Sequence, residues 1–309
     1  MLNTIPNLPR RFLLASATAL ALIGNQAHAA DKLPVVASFS ILGDLVRVVG
    51  GERVAVTTLV GPDEDAHVFE PKPADAKALL AAKLVVTNGL DFEPWAGKLL
   101  KSAGYKGKTV VATQGVTARH MEEAKGHAGH AHEELDPHAW QNPNNVVLYV
   151  RNIAAGLSQV DAAGASSYQA NAEAYVKELQ ALDAWAQAQI TSIPQVKRKV
   201  ITSHDAFGYF ATHYGVQFLA PQGVNTETEP SAKQVARLIQ QIKREKIRAV
   251  FVENMANPQL IAQLSKDAGA TLGASLYADA LSPAGQPGAT YLQMLRHNVT
   301  HLVAGMQHN

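Results

Sequence analysis

An uninterrupted helical stretch in the middle of the chain does most to limit the fold. Residues 165–193 contain neither Gly nor Pro and are rich in Ala, Gln, Glu and Lys. Along them Tyr168, Ala172, Tyr175, Leu179, Leu182 and Ile190 recur with a helical period. A helix of about 28 residues is about 42 Å long, the width of a small domain. Whatever lies on either side is therefore held by a stiff rod, and only small domain motions are expected. The two sides share one plan, in which short β-branched runs alternate with longer helical segments. Before the rod the strand candidates are 34–38, 54–60, 84–87 and 109–112, with helix-like segments at 42–49, 74–81 and 95–103. After it they are 199–202, 216–219, 248–252 and 271–275. Ser231 and Gln234 form a capping box after Pro230, and Val235, Leu238, Ile239 and Ile242 share one face of the helix it opens. A last helix is expected over 290–306. Such alternation predicts an α/β fold of two lobes, each a parallel sheet flanked by helices, joined by one long rigid backbone helix. The expected divisions are 30–162, 163–193 and 194–309.

Residues 1–29 read as a cleavable export signal. Arg10 and Arg11 precede a short apolar run, and Ala27-His28-Ala29 is a small-x-small cleavage site. The expected address is the bacterial periplasm. The Arg pair also matches the start of a twin-arginine signal, although the rest of that consensus is poor. No Cys follows the run, which argues against a lipid anchor of that kind, and no later stretch is apolar enough to cross a bilayer. Cleavage before Ala30 leaves 280 of the 309 residues and removes two of the 27 Lys and Arg, setting 25 against 26 Asp and Glu. A near-neutral chain offers no electrostatic footprint for nucleic acid or an anionic membrane. With no Cys in the chain, any bound metal must use nitrogen and oxygen donors.

Four residues stand out as metal donors. His67 follows the strand ending at 60, His138 lies in Asp136-Pro137-His138-Ala139-Trp140, and His204 follows the strand ending near 202. Asp279 follows the last strand candidate. In parallel α/β sheets ligands sit beyond the carboxyl ends of strands, and three imidazoles with one carboxylate complete a tetrahedral set for a divalent ion. Carboxylates beside His67 and Asp136 beside His138 are placed to restrain the rings, and Trp140 to exclude water. Asp205 is read as a capping or supporting group for His204. Glu253 and Glu229 compete with Asp279 as carboxylates on the same rim, while His297 and His301, four apart on the last helix, read as a solvated face. Residues 117–135 carry His120, His127, His130 and His132 without apolar periodicity, a composition suited to weak metal binding in a mobile loop.

Together these segments resemble the solute-binding proteins of zinc and manganese ABC importers, the metal-binding cluster A-I class. The resemblance covers essentially the whole mature chain. It rests on Asp65-Ala66-His67-Val68-Phe69-Glu70-Pro71, Asp136-Pro137-His138-Ala139-Trp140, residues 203–210, Glu229-Pro230-Ser231-Ala232-Lys233 and Tyr277-Ala278-Asp279-Ala280-Leu281, in order. It implies a metal between the lobes, held by His67 and His138 from the first and His204 and Asp279 from the second. It implies Zn2+ as the transported ligand, since manganese-type members usually place a glutamate at the position of His204. The His-rich loop also resembles zinc-type members. Many of those lack the Asp279 equivalent, however, and three His with one Asp is associated with broader Zn2+ and Mn2+ acceptance. The implied partners are an inner-membrane ABC permease and a periplasmic metallochaperone, with the carrier itself monomeric, outside the membrane and not an enzyme. The competing reading is an exported zinc hydrolase with three His, a water, and Glu70 or Glu253 as general base. It requires an open coordination position beside a cleft, and no HExxH motif is present. A manganese-loaded surface adhesin is disfavoured by the missing lipid-anchor Cys.

Overall fold

The computed structural model describes Met1, residues 31–120 and residues 135–309. The stretch in which the sequence reads an export signal, apart from Met1, and most of the His-rich segment, with His127, His130 and His132, lie outside the described residues. Two four-stranded parallel sheets organise the rest. In the first, β1 (Leu33–Phe39), β2 (Val54–Val60), β3 (Leu84–Thr87) and β4 (Lys108–Val111) take the order β2-β1-β3-β4. Helices α1 (Ser40–Gly50), α2 (Pro73–Ala81) and α3 (Ala96–Ser102) make the crossovers. Strand β1 is covered on both faces, so Val35, Val36, Ala37 and Phe39 form a nearly continuous buried run instead of alternating with polar residues. A short antiparallel pair, β5 (Arg119–His120) with β6 (Leu135–Asp136), follows, and its Arg119, His120 and Leu135 fall in the stretch 117–135 that the sequence reads as a loop.

Helix α4 (Pro143–Val160) starts where the Asn142 side chain accepts a hydrogen bond from the Asn144 amide, with Pro143 at its first position. The central rod is α5 (Ala165–Thr191), preceded by a tight turn over Ala162–Gly164. The second sheet comprises β7 (Lys199–Ile201), β8 (Gln217–Leu219), β9 (Ala249–Val250) and β10 (Thr271–Leu272) in the order β10-β9-β7-β8. Helices α6 (Gly208–Tyr214), α7 (Ala232–Glu245), α8 (Pro258–Ala268) and α9 (Tyr291–Met306) accompany it. The capping box of α7 forms as its sequence predicts, with Ser231 and Gln234 exchanging backbone-to-side-chain hydrogen bonds. Strands β9 and β10 are shorter than their apolar runs, because the chain leaves the ladder early. A single bridge between Glu253 and Leu276 continues it toward the rim.

The rod joins the lobes by belonging to both cores. Its first half, through Tyr168, Ala172, Tyr175, Val176 and Leu179, packs into the first lobe, and Leu182, Ala186 and Ile190 pack into the second. It is not alone in this. The first turn of α9 places Tyr291 and Met294 in the first core, while Leu295, Val299, Leu302 and Met306 fill the second. The Tyr291 amide donates to Asp44 at 2.8 Å and its hydroxyl to the Trp140 carbonyl at 2.7 Å. Two helices thus cross the seam, each packed into both cores. Truncating fully buried Leu179 to Ala should cost about 2–5 kcal/mol and should destabilise both lobes together. Denaturant unfolding followed by tryptophan fluorescence and by far-UV circular dichroism should give one coincident transition; two separated transitions would contradict the shared core.

Candidate metal centre

The carboxyl ends of β2, β6 and β7 bring three imidazoles to one point. His67 sits on the loop after β2, its amide donating to Asp65 Oδ1 at 2.9 Å while Trp95 Nε1 donates to the neighbouring Ala66 carbonyl at 2.8 Å. Phe92 meets the His67 ring edge-on at 4.8 Å between centroids. His138 follows β6. Asp136 Oδ1 accepts both its amide, at 3.0 Å, and its ring Nδ1–H, at 2.9 Å, and Asn88 Nδ2 fixes the preceding Pro137 carbonyl at 2.9 Å. His204 follows β7. Glu253 Oε1 accepts the amides of Ser203 and His204 at 2.9 and 3.1 Å, and Oε2 takes the ring Nδ1–H. An ionised carboxylate only accepts hydrogen bonds, so each partnered ring carries its proton on Nδ1 and turns the Nε2 lone pair inward.

Asp279 faces these nitrogens from the second lobe. Its Oδ2 lies 3.2 Å from His67 Nε2 and 3.1 Å from His204 Nε2, and Oδ1 lies 3.5 Å from His138 Nε2. One donor atom from each of the four residues lies within 4.8 Å of all the others. Bonds of about 2.0–2.1 Å to a tetrahedral zinc would separate neighbouring donors by about 3.3–3.4 Å, close to the spacings around Asp279. The site is dry: His67 is 6 % exposed and His138, His204 and Asp279 are 0 % exposed. The three Nε2 atoms and both Asp279 oxygens are nonetheless buried without a hydrogen-bond partner. Buried polar groups are expensive to leave unsatisfied, so five of them converging on one centre fit a cation in their midst.

The electrostatics agree. Burial disfavours charge on every group, yet the His204 and His138 rings hold the Asp279 carboxyl well below its ordinary range. Burial likewise opposes a charged His138, but the carboxylates of Asp279 and Asp136 outweigh it and raise the ring to about 9. For His204 the same opposition is overcome by Glu253 and Asp279, and its ring is raised well above 6.5. Without metal, protons on these rings face Asp279 in the cation's stead.

The structure brings together all four donors singled out in the sequence and revises several of their neighbours. Glu253 is not a rival donor to Asp279, because it stands behind His204 on the Nδ1 side. That also gives it, and not Asp205, the supporting role. Asp65 does not hold the His67 ring; it binds the backbone amide and, across the seam, the Thr226 hydroxyl at 2.6 Å. Glu229 and Glu70 are exposed and are not among the four clustered donors. His297 and His301 contact each other at 4.3 Å between ring centroids, and His297 Nε2 meets the Ser275 carbonyl. The sequence reading missed Phe92, which packs on His67, and Asn88; neither carries a metal-binding signature.

A buried pocket of three imidazoles and one carboxylate between two α/β lobes has the donor set of a site for one small cation. Comparisons agree. Residues 35–305 match the family described as "Zinc-uptake complex component A periplasmic". The chain is 35 % identical over 276 residues to the manganese-binding lipoprotein MntA of Halalkalibacterium halodurans, covering 89 % of each. It is 33 % identical over 292 residues to the iron-binding protein YfeA of Yersinia pestis, covering 94 % of this chain and 92 % of that one. The solved periplasmic zinc binding protein TroA from Treponema pallidum superposes with a TM-score of 0.82 at 26 % identity, over 89 % of this chain and 99 % of that one. The chain therefore belongs to the zinc-uptake component A family, the metal-binding solute receptors of ABC importers. Its members are not enzymes, which removes the hydrolase reading.

Because the folded His138 ring titrates near 9 and the unfolded one near 6.5, its protonation stabilises the metal-free protein fully below pH 6.5. That contribution is lost as pH rises through about 9. Thermal melts of chelator-treated protein between pH 6 and 9 should therefore show a falling midpoint. A level or rising midpoint would show that the ring is not protonated opposite Asp279.

Proposed function

We propose that this chain is a periplasmic zinc carrier whose first coordination sphere is His67, His138, His204 and Asp279, and which hands the ion to an ABC permease in the inner membrane. The observation that carries this reading is the convergence of the three buried, unpartnered Nε2 atoms on the Asp279 carboxylate. Three imidazole donors of borderline softness favour zinc over harder divalent ions. The donors come from both of the proposed lobes, 30–162 and 194–309, on either side of the connecting helix 163–193. Export through the signal read in residues 1–29 places the carrier where scarce metal enters the cell. Among the described residues no helix is long and apolar enough to cross a membrane.

A manganese or mixed zinc and manganese carrier is the second reading, and one feature of the site favours it. Both oxygens of Asp279 face the imidazoles, so the residue can supply two donors and raise the coordination above four, which suits manganese. Relatives named for manganese and for iron point the same way.

Metal analysis of protein purified from the periplasm without added metal, followed by Zn2+ and Mn2+ competition, decides between them. Zinc at one per chain, resisting excess Mn2+, is the expected result; manganese retained against Zn2+ would reverse the assignment. Replacing His204 with Ala should weaken zinc binding by more than about 100-fold, beyond the usual cost of losing a supporting residue. Unchanged affinity in a chelator competition would remove His204 from the coordination sphere.

A further inference from the structure

Resting on the metal-carrier reading, we infer that Arg119 is a positioning residue for the metal site, setting the orientation of His138 and its spacing from the His204 segment. Arg119 and Asp136 are cross-strand partners in the β5–β6 pair. Arg119 Nη1 donates to Asp136 Oδ2 at 2.7 Å. The other Asp136 oxygen accepts the amide and the ring Nδ1–H of His138. Asp136 is fully buried, so its two oxygens have divided duties, one turned to the guanidinium and one to the imidazole. Losing the guanidinium would leave one oxygen of a buried carboxylate unpaired, and the side chain would be free to turn. The His138 ring would lose its fixed orientation with it.

The same arginine reaches the second lobe. The Arg119 amide donates to the Tyr209 hydroxyl at 2.9 Å, and that hydroxyl donates to the Asp136 carbonyl at 3.1 Å. The guanidinium carbon lies 6.0 Å from the centre of the Tyr209 ring. Tyr209 belongs to α6, which starts four residues after His204. Its neighbour Gly208 faces the ion pair so closely that a Cβ there would come within 1.8 Å of Arg119 Nη1 and 2.5 Å of Asp136 Oδ2. No larger residue fits while the pair stays in place. Arg119, Asp136, Gly208 and the Tyr209 hydroxyl thus form a joint across the seam, two residues away from His138 and a short turn away from His204, whose rings stand 5.2 Å apart.

The test compares wild type with Arg119→Met, which keeps the stem and removes every donor, and Arg119→Lys, which keeps the charge and loses the fork. Each is loaded with Zn2+ for release to a fluorescent chelator by stopped flow, and with Co2+ for its visible absorption spectrum. Arg119→Met should release zinc about tenfold faster or more, the scale on which supporting residues act on metal sites, with shifted Co2+ bands. Arg119→Lys should fall between it and wild type in both readouts. A variant that melts at a lower temperature but keeps the wild-type spectrum and release rate would show that Arg119 only ties the strand pair, and would overturn the inference. Failure of the wild type itself to bind one ion per chain would instead overturn the carrier reading, and this inference with it.

Discussion

One dry carboxylate facing three imidazole nitrogens is the constraint around which this molecule is arranged. Asp279 is excluded from water, and neither of its oxygens has a hydrogen-bond partner. A buried charge in that state is tolerable only opposite positive charge. Protonated rings provide it without metal, and on the proposed carrier reading a divalent cation would provide it instead, so that proton and metal would compete for the same place. The second layer is built to keep that competition in register. Asp136 and Glu253 stand behind His138 and His204 and hold each Nδ1, and backbone amides of the same two segments hold the carboxylates.

The lobes frame that layer through two shared helices. Helix α5 contributes its first half to one core and its second half to the other, and α9 divides itself in the same way. Side chains in a packed core tolerate little displacement, so the distances between donors from different lobes follow from helix packing. Trp140 Nε1 and Gln141 Nε2 of the first lobe also both donate to the Ala278 carbonyl at 2.9 Å. The backbone beside Asp279 is thereby pinned to the segment that carries His138.

Much of this could be read directly from the residues, because periodicity reports burial. The strands of the first sheet, the capping box at Ser231 and the rod appear where their apolar patterns place them, and His67 and His204 follow strands as expected. What could not be read was direction. Glu253 ends a strand beside His204, as a rival ligand would, but only the folded chain shows that it approaches the far side of the ring. Asp65 is next to His67 in sequence and yet engages backbone and Thr226. The stripe on α9 announces a buried face without revealing that Tyr291 and Met294 serve a different core from Leu302. Arg119 lies in a stretch whose composition suggested a loop, and its partner Asp136 is seventeen positions away, beyond the range of any local pattern.

The seam between the lobes is guarded unequally. On one flank two helices are threaded through both cores. On the other, the loop bearing His67 is fastened to the opposite lobe by three hydrogen bonds: Thr226 to Asp65, Asn254 to Asp63, and the Asp63 amide to the Leu281 carbonyl. At about 1 kcal/mol net for each bond, that fastening costs no more to undo than shrinking a single core side chain. Of the four donors, His67 therefore rides on the more lightly fastened side of the seam.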